Sequence, residues 1–152
     1  MSHTINRQRT EQLSRLHESN YQLLTQLLPD LCLMGDSAVS RAPDCHDLHM
    51  HIIERSPYTT VLSLTYKLKI GDARLPAPDL WIRVCHDANV AEAIEQLDGR
   101  RPAHAHAYNS HGGLDLDTKW QLNTFMEKWL RRCLQQGHRY ACDESYSRSL
   151  SV

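Results

Sequence analysis

The spacing of apolar residues changes twice along the chain, and those two changes limit the fold more than any other feature. From Asn6 to Leu28 the residues Leu13, Leu16, Leu23, Leu24, Leu27 and Leu28 fall mostly three and four apart among polar neighbours. That is the stripe of an amphipathic helix, and Pro29 ends it. Between Asp30 and Asn109 the period drops to about two, and Pro, Gly, Asp and Asn punctuate the segment, as in a sheet. From Asp117 to Gln136 helical spacing returns, with Asp117 as expected N-cap, Trp120, Leu122, Phe125, Met126, Trp129, Leu130, Cys133 and Leu134 on or beside the apolar stripe, and Gly137 as the left-handed stop.

Strands are expected near Leu31 to Val39, His46 to Glu54, Thr59 to Lys69, Leu80 to Cys85 continuing after a kink to about Gln96, and Arg101 to Tyr108. Ser56-Pro57 separates the second from the third, Gly71-Asp72 and the prolines of LPAPD end the third, and Asp98-Gly99 is the strongest hairpin signal. The run Val90 to Leu97 also has helical spacing, but it leads into that turn and is read as strand. Short connections imply antiparallel pairing. The expected fold is α+β: one curved, mainly antiparallel sheet of about five strands, with both helices packed on one face. Residues 1–138 form a single domain in this reading, and 139–152 a polar, mobile tail.

At 152 residues such a chain can bury about two-thirds of its unfolded surface without a covalent staple. A net charge of -1, with both signs mixed along the chain, gives no field that would draw nucleic acid or anionic membrane. The longest apolar stretches are far short of the roughly 18 residues a membrane span needs. Five widely spaced cysteines without a C-x-x-C, and a polar N-terminus, fit a reduced cytoplasmic setting.

Chemistry concentrates around VCHDANVAE, residues 84 to 92. Alternation in the preceding strand puts Leu80, Ile82 and Val84 on one face and Trp81, Arg83 and Cys85 on the other. His86 is a candidate general acid or base oriented by Asp87, with Glu92 as a further proton-transfer group and Arg83 as an anion clamp. The competing reading makes Asp87 and Asn89 turn formers and His86 a half-buried turn residue. His49-Met50-His51 and His104-Ala105-His106 each place two imidazoles on one strand face, where a zinc ion could recruit them, or where they simply cover a solvated surface. Arg83, Arg100-Arg101 and Lys119 could assemble an anion site with the start of the last helix. No phosphate-loop or dinucleotide fingerprint occurs, and no G-x-S-x-G. Cys85, beside His86, is the cysteine to watch, while Cys133 belongs to the apolar helix stripe. No cofactor is implied.

The run from IIERSPYTTVLSL through WIRVCHDANVAEA to YNSHGGLDLDTKWQLNTFMEKWLRRCLQQG resembles the YqiB family of small cytoplasmic bacterial proteins of unknown function. Its specific elements are Glu54 with Tyr58-Thr59-Thr60, Arg83 with His86-Asp87-Ala88, Ala91-Glu92, Tyr108, and Lys119, Asn123, Phe125 and Trp129-Leu130, in order over residues 12 to 138. The resemblance implies a fold and a set of positions rather than a reaction. It adds Tyr108 and Asn123 to Arg83 and Lys119 as ligand-binding candidates. It departs at Cys85, where the family has tyrosine, and the two H-x-H pairs lie outside its pattern. With no complete catalytic constellation, the expected function is a non-catalytic binding or regulatory module using the sheet face opposite the helices, for a protein partner or self-association. A nucleotide- or phosphate-ligand protein using Arg83, Lys119 and His86-Asp87 is the alternative, and a zinc protein a remote one.

Overall fold

The computed structural model describes residues 2–43, 45–67, 79–97 and 115–140. Helix α1 (Ser2–Leu27) leads through a short 3-10 turn at Leu31–Leu33 into five strands, β1 (Ser37–Ser40), β2 (Asp47–Arg55), β3 (Thr59–Lys67), β4 (Asp79–Cys85) and β5 (Val90–Leu97), and helix α2 (Leu116–Gln135) closes the order. The strands pair antiparallel in sequence order, β1-β2-β3-β4-β5. The fold is therefore the expected α+β arrangement, a five-stranded antiparallel open sheet with a helix before and a helix after it.

Period-two alternation decides what each face carries. Leu48 and Met50 of β2, Leu62 and Leu64 of β3, Leu80, Ile82 and Val84 of β4, and Ala91 and Ala93 of β5 meet Leu24, Leu27 and Leu28 of the first helical segment and Leu122, Met126, Trp129, Leu130 and Cys133 of α2 in one core. Burying each leucine there contributes on the order of 2 kcal/mol. Asp115 caps α2 by accepting from the Thr118 N–H at 2.7 Å. This bond holds the Asp115 carboxyl below its usual range. The C-terminal end is a Schellman motif: Gly137 has φ of 95°, its N–H donates to the Leu134 carbonyl, and the His138 N–H reaches back to the Cys133 carbonyl. No helix among the described residues is long and apolar enough to cross a membrane.

Four expectations are corrected. Leu31–Leu33 is a 3-10 turn, and the first strand begins only at Ser37. The apolar spacing of LCLM imitates a strand, but Arg55 donates to the carbonyls of Leu31, Met34 and Gly35 and ties the segment to the end of β2 instead. The single kinked strand over residues 80–96 is two strands, because the chain reverses at residues 86–89. The N-cap of α2 is Asp115 rather than Asp117. Finally, Tyr140 is buried, its N–H donating to the Leu27 carbonyl at 2.8 Å and its hydroxyl to the Leu48 carbonyl, so docked chain extends past residue 138. The Gly71-Asp72, LPAPD and Asp98-Gly99 turns, the strand at 101–108 and residues 141–152 lie outside the described residues.

Candidate functional site

The stretch VCHDANVAE is the tip of the β4–β5 hairpin. Cys85 pairs with Val90 across the sheet, and His86, Asp87, Ala88 and Asn89 form the loop. Asn89 has φ of 57°, the left-handed conformation that asparagine tolerates better than most residues. Asp87 is exposed, while His86 is half-buried. The backbone N–H of His86 donates to the Tyr58 carbonyl at 2.8 Å, tying this loop to the β2–β3 turn. Its ring lies over the helix-facing side of the sheet: Nε2 is 2.8 Å from Thr60 Oγ1 and Nδ1 is 3.9 Å from Cys32 Sγ. Cys32, in the 3-10 turn, is thus the thiol at the imidazole. The expected candidate Cys85 alternates to the other face.

Beside this trio opens a crevice of about 230 Å³ lined by Tyr21, Leu24, Leu28, Leu31, Leu33 and Val84, with Cys32 and His86 in the same wall. It forms where the end of α1, the 3-10 turn and the β4 terminus leave a gap between helix and sheet. Leu33 is 79% exposed and Tyr58 66%, so two large apolar side chains stand free near the hairpin tips.

The other candidates gather elsewhere. Arg83 pairs with Glu92 across the β4–β5 register, its Nη2 3.3 Å from Glu92 Oε1. By alternation both lie on the face opposite Val84, so Glu92 does not join His86 and Asp87. Asn123 of α2 is buried and fully engaged: its Oδ1 accepts from the Ala93 N–H at 2.7 Å, and its Nδ2 donates to the Ala93 and Lys119 carbonyls. It fastens α2 to β5 by bonding strand groups that, among the described residues, lie on the sheet's outer edge. His17, which no motif marks, sits within the electrostatic reach of Glu92, Lys119 and Arg83. Burial lowers its pKa first; Glu92 opposes this, and Lys119 and Arg83 add to it. The structure therefore pairs Arg83 with Glu92, leaves Lys119 within electrostatic reach of the same His17, and puts the pair on the face away from His86.

The second sheet face is not bare where Trp81 stands. Trp81 is 4% exposed and packs with Val61, Ile94 and Ile53 in a second apolar cluster, because alternation gives neighbouring strands matching apolar residues there. Trp81, expected as an exposed aromatic on this face, is thus covered. On the same face Thr65 Oγ1 donates to buried Asp79 at 3.0 Å. Burial, followed by Asp79, raises the Glu95 carboxyl. His49 and His51 share this face, opposite Thr65 and Ser63 of β3. Among the described residues, no group of three His, Cys, Asp or Glu side chains could hold a metal ion. His104, His106 and Tyr108, like Arg100 and Arg101, lie outside the described residues.

At the far end of β3 is a second histidine that no local pattern announced. His138 is 1% exposed, with Nδ1 3.0 Å from Ser40 Oγ and Nε2 3.3 Å from the Tyr66 hydroxyl, which also donates to Gln136 Oε1. Burial lowers the His138 pKa and pushes the Tyr66 phenol up to about 12.

The family model described as "Protein of unknown function (DUF1249)" matches residues 23–139. The uncharacterized protein YqiB of Escherichia coli K12 is 28% identical over 126 residues, covering 83% of this chain and 89% of that protein, and the YqiB proteins of the O6:H1 and O157:H7 strains match equally. No solved structure matches the chain. The matched span takes in the end of α1, the sheet, α2 and the docked segment after it, and the chain belongs to the DUF1249 family.

Proposed function

We propose that this chain is a non-catalytic binding module whose working surface is the end of the molecule where the hairpin tips meet the 3-10 turn. In this reading a partner protein inserts one apolar anchor side chain into the crevice beside His86 and packs against Leu33 and Tyr58. The observation that carries it is the crevice itself. At about 230 Å³ it is smaller than the roughly 300–1,000 Å³ of small-molecule sites, and its lining is mostly carbon. A nucleotide suits neither its size nor its chemistry. A buried aliphatic or aromatic anchor within an apolar rim is how compact interfaces concentrate affinity.

Catalysis receives less support, since His86 and Glu92 lie on different faces and Asp87 is exposed. The phosphate reading is weakened because Arg83 is already held by Glu92 and the Asn123 amide is spent on the backbone of β5.

Peptides selected from a random displayed library against the folded protein should share a single apolar anchor. Their affinity should fall at least about tenfold in Leu33→Asp and in the crevice-filling Val84→Phe, with the melting temperature reported alongside. Peptides that bind both variants as tightly as the parent chain would refute the reading. Self-association lost in Leu33→Asp would make the partner a second copy.

A further inference from the structure

The crevice has a nucleophile in its wall. Among the described cysteines Cys32 is the exposed one; Cys45 and Cys85 are half-buried, and Cys133 is buried. Its Sγ lies 3.9 Å from His86 Nδ1, and the opposite ring nitrogen is 2.8 Å from Thr60 Oγ1. Thiol, imidazole and orienting hydroxyl come from three separate elements, the 3-10 turn, the β4–β5 loop and β3. This is the arrangement that activates a nucleophile: a base within reach of the thiol and a third group fixing the base. What distinguishes it from a thiol merely near a histidine is the apolar crevice that begins at the same two residues.

We propose that Cys32 is a site of S-acylation, taking an aliphatic acyl group from an acyl thioester while the acyl chain lies in the crevice. The Nε2–H tautomer of His86, donating to Thr60, leaves the Nδ1 lone pair facing the thiol. Cys32 Sγ gives its proton to Nδ1 and attacks the thioester carbonyl. The new Sγ–acyl bond forms as the donor's carbon–sulfur bond breaks, and the proton passes from His86 to the departing thiolate. One thioester replaces another, so no oxidant or reductant is required. A long aliphatic chain gains from burial in the crevice and an acetyl group does not, each buried methylene counting about fourfold in affinity. The bound chain would also fill the pocket that the docking reading reserves for a partner's anchor, which makes acylation a means of closing that site; this consequence rests on that reading, while the acylation itself does not.

The test uses the whole chain and the simple donor S-octanoyl-N-acetylcysteamine, read by intact mass and peptide mapping. One octanoyl group should appear on Cys32 ahead of the other cysteines and disappear in Cys32→Ser. Acetyl transfer from the matching short donor should be at least about tenfold slower. His86→Asn should slow octanoylation on the order of 10²-fold. That variant keeps the backbone bond to Tyr58, and Thr60→Val, which keeps the imidazole, should slow transfer less. Labelling of Cys45 or Cys85 as fast as Cys32, equal rates for acetyl and octanoyl, or an unchanged rate in His86→Asn would overturn the proposal. No acylation in a chain that still binds its selected peptides defeats this inference alone. Acylation in a chain that selects no peptide defeats the docking reading alone.

Discussion

Strand β3 carries a hydroxyl near each end of its helix-facing side, Thr60 and Tyr66, and each is bonded to a histidine. The two pairs use the same chemistry and face different surroundings. At the Tyr66 end His138 is enclosed, 1% exposed: Ser40 meets one ring nitrogen, Tyr66 the other, and the Schellman turn holds its backbone. At the Thr60 end His86 has one nitrogen on Thr60, while the other looks toward an exposed thiol and an open crevice. A hydroxyl–imidazole pair closed on all sides holds elements together, because leaving any member unpaired in a buried place is costly. The same pair with one side open has capacity to spare for something that comes from outside. The difference lies in what covers the ring rather than in the ring.

The largest effect should separate the two ends by stability. His138→Ala empties a fully buried site and removes one partner each from Ser40 Oγ and the Tyr66 hydroxyl, and should cost about 3 kcal/mol by urea unfolding. His86→Ala, at a half-buried loop, should cost no more than about half as much. Equal losses would erase the distinction drawn here.

Acid should come next. The His138 pKa is lowered below 6.5, by burial first, so the unfolded chain takes up a proton that the folded chain refuses. Stability from this group is complete above about pH 6.5 and is lost as pH falls below it. Burial acts on His17 in the same direction. The urea midpoint should therefore drop between about pH 7.5 and 5.5, and drop less in a chain carrying His17→Gln and His138→Gln. A wild-type midpoint that rises on acidification, or a double variant with the same pH slope, would contradict the assignment.

Smaller still, Thr60→Val should cost about 1 kcal/mol, because one hydroxyl is lost and the imidazole can turn to solvent. Leu33→Asp should change stability by no more than about 0.5 kcal/mol, since the side chain is mostly in water. A residue that adds nothing to folding but governs peptide binding belongs to a working surface.

The architecture was legible because burial follows period. Leu80, Ile82 and Val84 alternate toward the core as their spacing implies, and both helices and the Gly137 stop stand within a few residues of where the pattern places them. The β4–β5 reversal was partly hidden, since HDAN contains no glycine and the turn depends on Asn89 accepting a positive φ. The site was less legible for a physical reason. Cys85 is next to His86 in sequence, yet period two sends adjacent side chains to opposite faces. The thiol that reaches the imidazole is Cys32, 54 positions away. His138 and Tyr140 lie in a polar stretch with no apolar rhythm, and contacts distant in sequence hold them inside: hydrogen bonds to Ser40, Tyr66, Leu27 and Leu48, and packing of Tyr140 in the main core. Asn123 entered the ligand-binding candidates through the family resemblance. Its amide instead completes the edge of a strand, which sequence spacing does not reveal.

In the proposed function one end of β3 receives a partner and the other holds the fold. This division is tested most directly by methyl-detected NMR with a selected anchor peptide titrated into the labelled protein. Methyl signals of Leu28, Leu31, Leu33 and Val84 should shift together along one saturating curve, while those of Leu48 and Leu64, deep under the sealed end, stay in place. Shifts confined to the sealed end, or to the Trp81 face with the crevice methyls unmoved, would contradict it.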